Sequence, residues 1–423
     1  MPRTSGCHPA RLAAAGPLLA ACLLVTAAPA GALEQALMRA AVEAACSAGP
    51  DVLPHLPGAR LVSAANDGQR NELLDYERPG GDRLLVRREL FAGAVRSVTV
   101  EHHAADGRPV ALVHAGPGCA VVGGRMVEEA GLERFLRDLG PGLEPVGAPI
   151  PINPAPPTGE PRPGVAVALI DSGVNYLLPE LAPHLAYGPD GRLLGLDLVD
   201  GDERPFDLDQ SRNAFFPLRH GTAVASVLAR EAPRARILPY RFALGRPGGL
   251  GRILDHAAAA GARIALLALG SGSERDWAEL PAAAARHPDL LLVVSAGNDA
   301  RDLDQRPVYP AAFGLPGQVT VGSARADGRI APDSNWGART VDLFVPGEGV
   351  WILDAEGRRG AGFGTSFAAP RIAALAARLL AERPELDRDG LRAALLARAR
   401  PLPPHPQGIA LARHGWIADP AAD

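Results

Sequence analysis

The sequence predicts an α/β protein built on a mostly parallel sheet covered on both faces, preceded by a small α+β N-terminal domain. Three observations predict it. From Val165 onward, compact apolar runs alternate with stretches of helical spacing, as parallel strands buried on both faces require. Before that, residues 82–129 carry short runs separated by Gly, Asp-Gly and Gly-Pro, the rhythm of an antiparallel meander. Between the two, Val146–Gly164 is so rich in Pro that an extended connector suits it better than helix or central strand.

Residues 1–32 read as an export signal. Arg3 and Arg11 give a positive start, Leu12–Ala27 is apolar, and Ala28-Pro29-Ala30 and Ala30-Gly31-Ala32 fit a small-residue cleavage site. The other readings are a buried helix or an anchor, but the apolar stretch is short for a membrane span. Leu19-Ala20-Ala21-Cys22 resembles a lipoprotein cleavage box, yet the apolar run continues past Cys22, which argues against lipidation. The chain is therefore expected in the periplasm or outside the cell. Cys7 and Cys22 would leave with the signal; Cys46 and Cys119 remain as one disulfide or two separate buried thiols.

Residues 33–145 form the expected N-terminal domain. A helix is predicted over 34 to about 48, with Leu37, Ala41, Ala44 and Ala45 as its apolar positions. Strands are predicted at Arg83–Leu90, Ser97–His102, Val110–His114 and Ala120–Val127, and a second helix at Gly131–Leu139. His102-His103 has no further ligands at metal spacing and reads as a strand edge. After the 146–164 linker, a domain spanning 165–415 is expected, with strands at Val165–Ile170, Leu194–Val199, Arg236–Phe242, Arg263–Leu269, Leu290–Ser295, Gln318–Ser323 and Val341–Val345. Helices fall between several of them, for example at Leu250–Ala260 and Asp276–Arg286.

Composition narrows the function. With 423 residues the chain is long for one core. Aromatics are only 4%, so Leu, Val, Ile and Ala must build the interior. The net charge of −4, without a basic stripe, gives no sign of a nucleic-acid partner. The sequence contains no Lys. That excludes a Walker A loop, a lysine Schiff base and a Ser–Lys dyad, each of which needs an amine.

Four residues carry the chemistry. Asp171 ends the run VAVALI, where an acid would sit at the carboxyl edge of a parallel sheet. His220, in LRHGTAVASVLA, stands at a helix start. Ser366, in GFGTSFAAPRIAALAARLLAE, precedes a long apolar helix whose free N–H groups and dipole favour negative charge. Asn298, in LLLVVSAGND, places an amide donor after a buried strand, where it could help hold an oxyanion. Singly these are a turn acid, a surface histidine, a helix cap and a turn amide. Together, in the order Asp, His, Ser, they match one of the orders of a hydrolytic triad. His220 would act as general base and Asp171 would orient it.

The segments ALIDSGV, HGTAVAS, LLVVSAGN and GTSFAAP resemble the Asp, His, Asn and Ser boxes of the subtilisin-like serine proteases. Lesser matches, among them VYPAAF, SNWG and VDLFVPG, extend the resemblance over roughly 164–415. It implies a three-layer α/β/α fold and serine endopeptidase activity through an acyl-enzyme, on protein or peptide substrates. It implies Asp171, His220 and Ser366 as the triad and Asn298 as the oxyanion amide. It also implies that Leu269-Gly270 and Ser295-Ala296-Gly297 flank the substrate, and that the bond before Pro310 is cis.

Departures from the family pattern are Ala223 for its second histidine, Ser226 for a glycine, Phe367 for the Met after the nucleophile, and Ala268 in its Ser-Leu-Gly edge. None removes a proton-transfer group; Phe367 bears on specificity. No cofactor is expected to be required. Asp299, Asp302 and Asp304 have the chemistry to bind calcium, though a solvated acidic loop is the plainer expectation. Residues 33–145 are expected to be either a propeptide that inhibits intramolecularly or a retained module. The rivals fit less well. A nucleophile-elbow hydrolase needs its acid and histidine after Ser366, where fewer than sixty residues remain, and no H-E-x-x-H metallopeptidase motif occurs. A catalytically silent binding scaffold should have lost a triad residue.

Overall fold

A computed structural model describes residues 30–48, 52–66, 70–210, 213–242, 249–406 and 408–422. The expected export signal lies outside these residues up to position 29. Among the described residues, no helix is long and apolar enough to cross a membrane.

The N-terminal module opens with helix α1 (Ala30–Ser47), followed by eight strands: β1 (Arg60–Asn66), β2 (Asn71–Glu77), β3 (Arg83–Phe91), β4 (Ala94–His103), β5 (Pro109–Ala115), β6 (Val121–Ala130), β7 (Glu133–Leu139) and β8 (Pro145–Ile152). They pair in sequence order as one antiparallel meander. Met38, Ala41, Val42 and Ala45 form the helical stripe buried against the sheet; Leu37 and Ala44 flank it. A Cys46–Cys119 disulfide, Cα atoms 5.9 Å apart, ties the end of α1 to the β5–β6 connection. Buried Arg88 donates to the Ala48 and Val52 carbonyls at 2.9 Å and pairs with Glu72, satisfying acceptors at the helix end.

Two expectations are corrected here. Residues 131–139 are not a helix. Ala130 pairs with Glu133 across a two-residue turn in which Gly131 has φ +67, and β7 then runs beside β6. Its L-x-x-F-L-x-x-L spacing imitates a helix, but ladder pairing overrides it. Nor is 146–164 wholly a connector, since Pro145–Ile152 is β8. It tolerates its prolines because it is an edge strand, paired on one side only. Strands β1 and β2 carry no strong signal in the sequence; most of β1 is exposed.

The following domain contains β9 (Ala166–Asp171), β10 (Leu196–Asp197), α2 (Gly221–Glu231), β11 (Arg236–Arg241), α3 (Leu250–Ala259), β12 (Ala262–Leu267), α4 (Leu280–Arg286), β13 (Leu291–Ser295), β14 (Gln318–Ala324), β15 (Leu343–Pro346), β16 (Glu348–Leu353), β17 (Arg359–Phe363), α5 (Thr365–Glu382), α6 (Arg388–Leu396) and β18 (Gly415–Trp416). Eight strands form a parallel sheet in the order β10-β11-β9-β12-β13-β14-β15-β18. Its strands bury both faces. Val167 and Leu169 of β9 join the cluster containing α2, α5 and α6; Ala166, Ala168 and Ile170 join the one containing α3 and α4. This is the three-layer arrangement. Strands β16 and β17 form a separate antiparallel ribbon leading into α5.

The pleat of the antiparallel sheet divides its residues between two partners. Ala111 and Val113 face α1; Leu112 between them, with Leu136 and Ile152, shares a buried cluster with Leu208 and Phe215 of the larger domain.

Candidate active site

The topology gathers the site at one sheet edge. Strands β9, β12 and β13 are parallel neighbours, so Asp171, Ala268 and Ser295 leave the sheet at the same carboxyl end. Helices α2 and α5 start there, bringing His220 and Ser366.

Asp171 is fully buried, and its Oδ1 lies 2.8 Å from His220 Nδ1. The same oxygen accepts the Ser172 N–H at 2.7 Å. Close approach of α2 to β9 depends on Gly221, where a Cβ would meet the Gly173 carbonyl oxygen at 2.1 Å. The imidazole side chain is 22% exposed, leaving its other nitrogen for chemistry. Burial pushes the imidazole pKa down, but the Asp171 charge and hydrogen bond and the Asp207 charge more than reverse this. The result stands above the ordinary 6.5.

Asp207 was not singled out from the sequence. It is 0% exposed, accepts Ser172 Oγ–H at 2.6 Å and His220 N–H at 3.1 Å through Oδ1, and accepts Thr222 N–H at 2.9 Å through Oδ2. It thus caps α2 from outside the helix, since His220, the N-cap residue, makes no side-chain cap bond. Burial pushes its carboxyl pKa up, partly offset by bonds from Ser172 and Thr222, and the Asp171 charge adds to the rise. The only sequence signal was its place in LDLVDGDERPFD, before the histidine box.

Ser366 lies in the first turn of α5, where backbone N–H groups lack intrahelical acceptors. Its hydroxyl donates to the Ala268 carbonyl at 3.2 Å. Among the described residues no hydrogen bond joins it to His220; catalytic bonds in unliganded sites are commonly long and tighten in the complex. Asn298 Oδ1 accepts both Thr365 N–H and Thr365 Oγ–H at 2.9 Å, which sets the amide orientation and leaves Nδ2 as the outward donor. The N-cap Gly364 has φ +101, and a Cβ there would meet Asn298 Oδ1 at 2.8 Å. Buried Asn335 pins the amide-bearing loop, donating to Ala296 O at 2.9 Å and accepting Asp299 N–H and Arg301 N–H at 3.1 Å.

Leu269 and Gly270 follow β12, while Ala296 and Gly297 follow Ser295 at the end of β13, so both segments leave neighbouring strands at the same sheet edge. Ser271 and Tyr309 exchange backbone bonds beside it, and the Tyr309–Pro310 bond is cis. Phe367 lies 6.0 Å from the His220 ring and covers Gly362. Ser226 Oγ accepts Leu353 N–H at 2.9 Å, linking α2 to β16. In the acidic loop Asp304 accepts Thr340 Oγ–H and Arg339 N–H, Asp299 pairs with Arg301, and Asp302 accepts Asp304 N–H.

The comparisons with known proteins fit this arrangement. The family model "Subtilase family" matches residues 162–416. The chain is 32% identical over 235 residues to a "Thermophilic serine proteinase" of Bacillus sp. (strain AK1), covering 52% of this chain and 53% of that protein. It is 29% identical over 234 residues to "Subtilisin-like protease 1" of Arthroderma gypseum, covering 52% and 44%. The chain thus spans about half the length of the curated relatives it matches. Among solved structures, a "cold adapted subtilisin-like serine proteinase" aligns over 60% of this chain and 88% of its own, at 26% identity and a TM-score of 0.49. Since the family model spans more than half of the sequence, and takes in all four boxes gathered at the sheet edge, the chain belongs to the subtilase family.

Proposed function

We propose that this chain is an exported serine endopeptidase acting on protein or peptide substrates. The observation that carries the reading is the buried Asp171 carboxylate 2.8 Å from His220, at the edge where Ser366 opens α5. Ser366 Oγ, turned from Ala268 O about χ1, gives its proton to His220 Nε2 and bonds to the scissile carbonyl carbon. The oxyanion that forms is held by Asn298 Nδ2–H and Ser366 N–H. His220 returns the proton to the departing amine as the C–N bond breaks, leaving an acyl-enzyme. Water, deprotonated by the same imidazole, attacks that ester; the acyl C–Oγ bond breaks, His220 returns the proton to Ser366 Oγ, and the acid is released. Asp171 keeps Nδ1 protonated and stabilises the imidazolium. Leu269-Gly270 and Ser295–Gly297 would line the substrate chain. This chemistry uses no cofactor. Residues 1–32 would be removed on export to the periplasm or beyond.

Incubating the purified chain with an unfolded protein, and sequencing the fragments by mass, tests the reading. Internal cleavages absent with Ser366→Ala are expected. An intact substrate in both samples would favour a catalytically silent binding scaffold.

A further inference from the structure

Residues 207–210 and 213–220 are closed at their base by an antiparallel pair: Asp209 N–H bonds Leu218 O at 2.9 Å and Leu218 N–H bonds Asp209 O at 2.8 Å. Both groups that matter to the histidine lie at this base, Asp207 entering and His220 leaving. Near the far end, Asn213 Oδ1 accepts the N–H groups of Phe215 and Phe216 at 2.9 Å, and Phe215 is buried while Phe216 is exposed. The antiparallel sheet clasps this end. Arg125 of β6 is held by Asp138 at 2.7 Å, donates Nη1–H to the Phe215 carbonyl, and lays its guanidinium 4.8 Å over the Phe216 ring. His103 meets the Phe215 ring edge-on at 6.2 Å. Phe215 is fully buried in the cluster that Leu112 and Leu136 share.

We propose that the N-terminal module is a retained brace, in which Arg125 positions residues 213–220 and through them the catalytic histidine. This rests on the protease reading above and chooses between the two roles expected for residues 33–145. Two features favour a brace over an inhibitor. Among the described residues, the hydrogen bonds and ring contacts from residues 30–152 to the larger domain end on Phe215 and Phe216, not on Leu269, Gly270, Ser295–Gly297 or Ser366. Removing the module would also uncover an apolar face, Leu112, Leu136 and Ile152 on one side and Phe215 on the other. A flat guanidinium with one edge on a carboxylate, another on a carbonyl and its face on a ring is a use that lysine meets only in part. Residues 213–220 lead directly into His220, whose N–H is shared between Ser172 Oγ at 2.9 Å and Asp207 Oδ1 at 3.1 Å, so a loosened tip moves the imidazole relative to Ser366. Displacement of a catalytic group by about 1 Å can cost up to about 10²-fold in rate.

The test uses the full chain, as wild type, Arg125→Ala and Arg125→Lys. Peptide hydrolysis is followed over pH, and folding is checked by thermal unfolding. Arg125→Ala is expected to lower kcat about tenfold with KM little changed and to shift the acid limb of the pH profile, with Arg125→Lys falling between. The chain recovered after export should begin near residue 33. Unchanged or increased kcat in Arg125→Ala, or an active chain beginning near residue 164, would overturn the brace while leaving the protease reading intact. A second readout does not need activity. In Ser366→Ala chains, the His220 imidazole NMR signal should change its titration when Arg125→Ala is added. An identical titration in both would overturn the proposal whether or not the wild type cleaves peptides.

Discussion

The two large sheets divide the work of the molecule. The parallel sheet is buried on both faces and delivers Asp171, Ala268 and Ser295 to one edge, so its packing and its chemistry are inseparable. The antiparallel sheet carries none of the candidate catalytic residues. It buries one face under α1 and lends the other to the segment that leads into His220. One sheet creates the site and the other can only tune it. Changes in the first should therefore abolish rate, and changes in the second should lower it about tenfold at most, or shift pH dependence or stability.

The sharpest contrast comes from the nucleophile. Ser366→Ala is expected to reduce kcat about 10⁶-fold without loss of fold, measured against the wild type on the same peptide. Asp171→Asn should follow at about 10⁴-fold, since the imidazole would be left in the wrong tautomer. Asn298→Ala should cost about 10²–10³ in kcat with little change in KM, a range taken from a related enzyme rather than from this chain. In the antiparallel module the expected effect changes kind. Cys46→Ser opens a loop with a sequence separation of 73. By loop-closure entropy this costs about 4 kcal/mol, seen as a lower midpoint of unfolding, with the pH profile unmoved.

The smallest effect is the most informative. His220 titrates above 6.5, so kcat/KM should fall with acid along a limb above that value. The sign for stability is opposite. The fold binds this proton more tightly than the unfolded chain does. That stabilisation is full below the ordinary histidine pKa and is lost as pH rises through the raised one. Acid should thus remove activity while this histidine's contribution to stability rises to its full value. Asp207→Asn removes one of the charges that raise His220 and turns one of the two acceptor oxygens, the partner of Thr222 N–H or that of Ser172 Oγ–H and His220 N–H, into a donor. It should move the limb to lower pH and change kcat by less than about tenfold. A limb that stays in place would show that Asp207 acts only as a helix cap.

The parallel sheet was legible because burial on both faces leaves near-continuous runs such as VAVALI and LLLVVS, and because the candidate residues Asp171 and Asn298 follow the ends of such runs while His220 and Ser366 stand at helix starts. The antiparallel sheet was only half legible. Its central strands alternate, but β1 is mostly exposed, β7 imitates helical spacing, and β8 hides in a Pro-rich run that only an edge strand accepts. Asp207 escaped because its role is tertiary. Nothing in PFDLDQ distinguishes the acid that caps a helix thirteen residues later from its neighbours Asp202, Glu203 and Asp209. The orientation of Asn298 likewise depends on Thr365, sixty-seven residues away.

The most direct measurement is mass mapping of the exported chain after treatment with a fluorophosphonate, beside Ser366→Ala. A single adduct on the Ser366 peptide is expected, absent from the variant, on a chain that still carries residues 33–145. No adduct in either protein, even in a form lacking residues 33–145, would contradict an activated nucleophile at Ser366 and leave the fold as a binding scaffold.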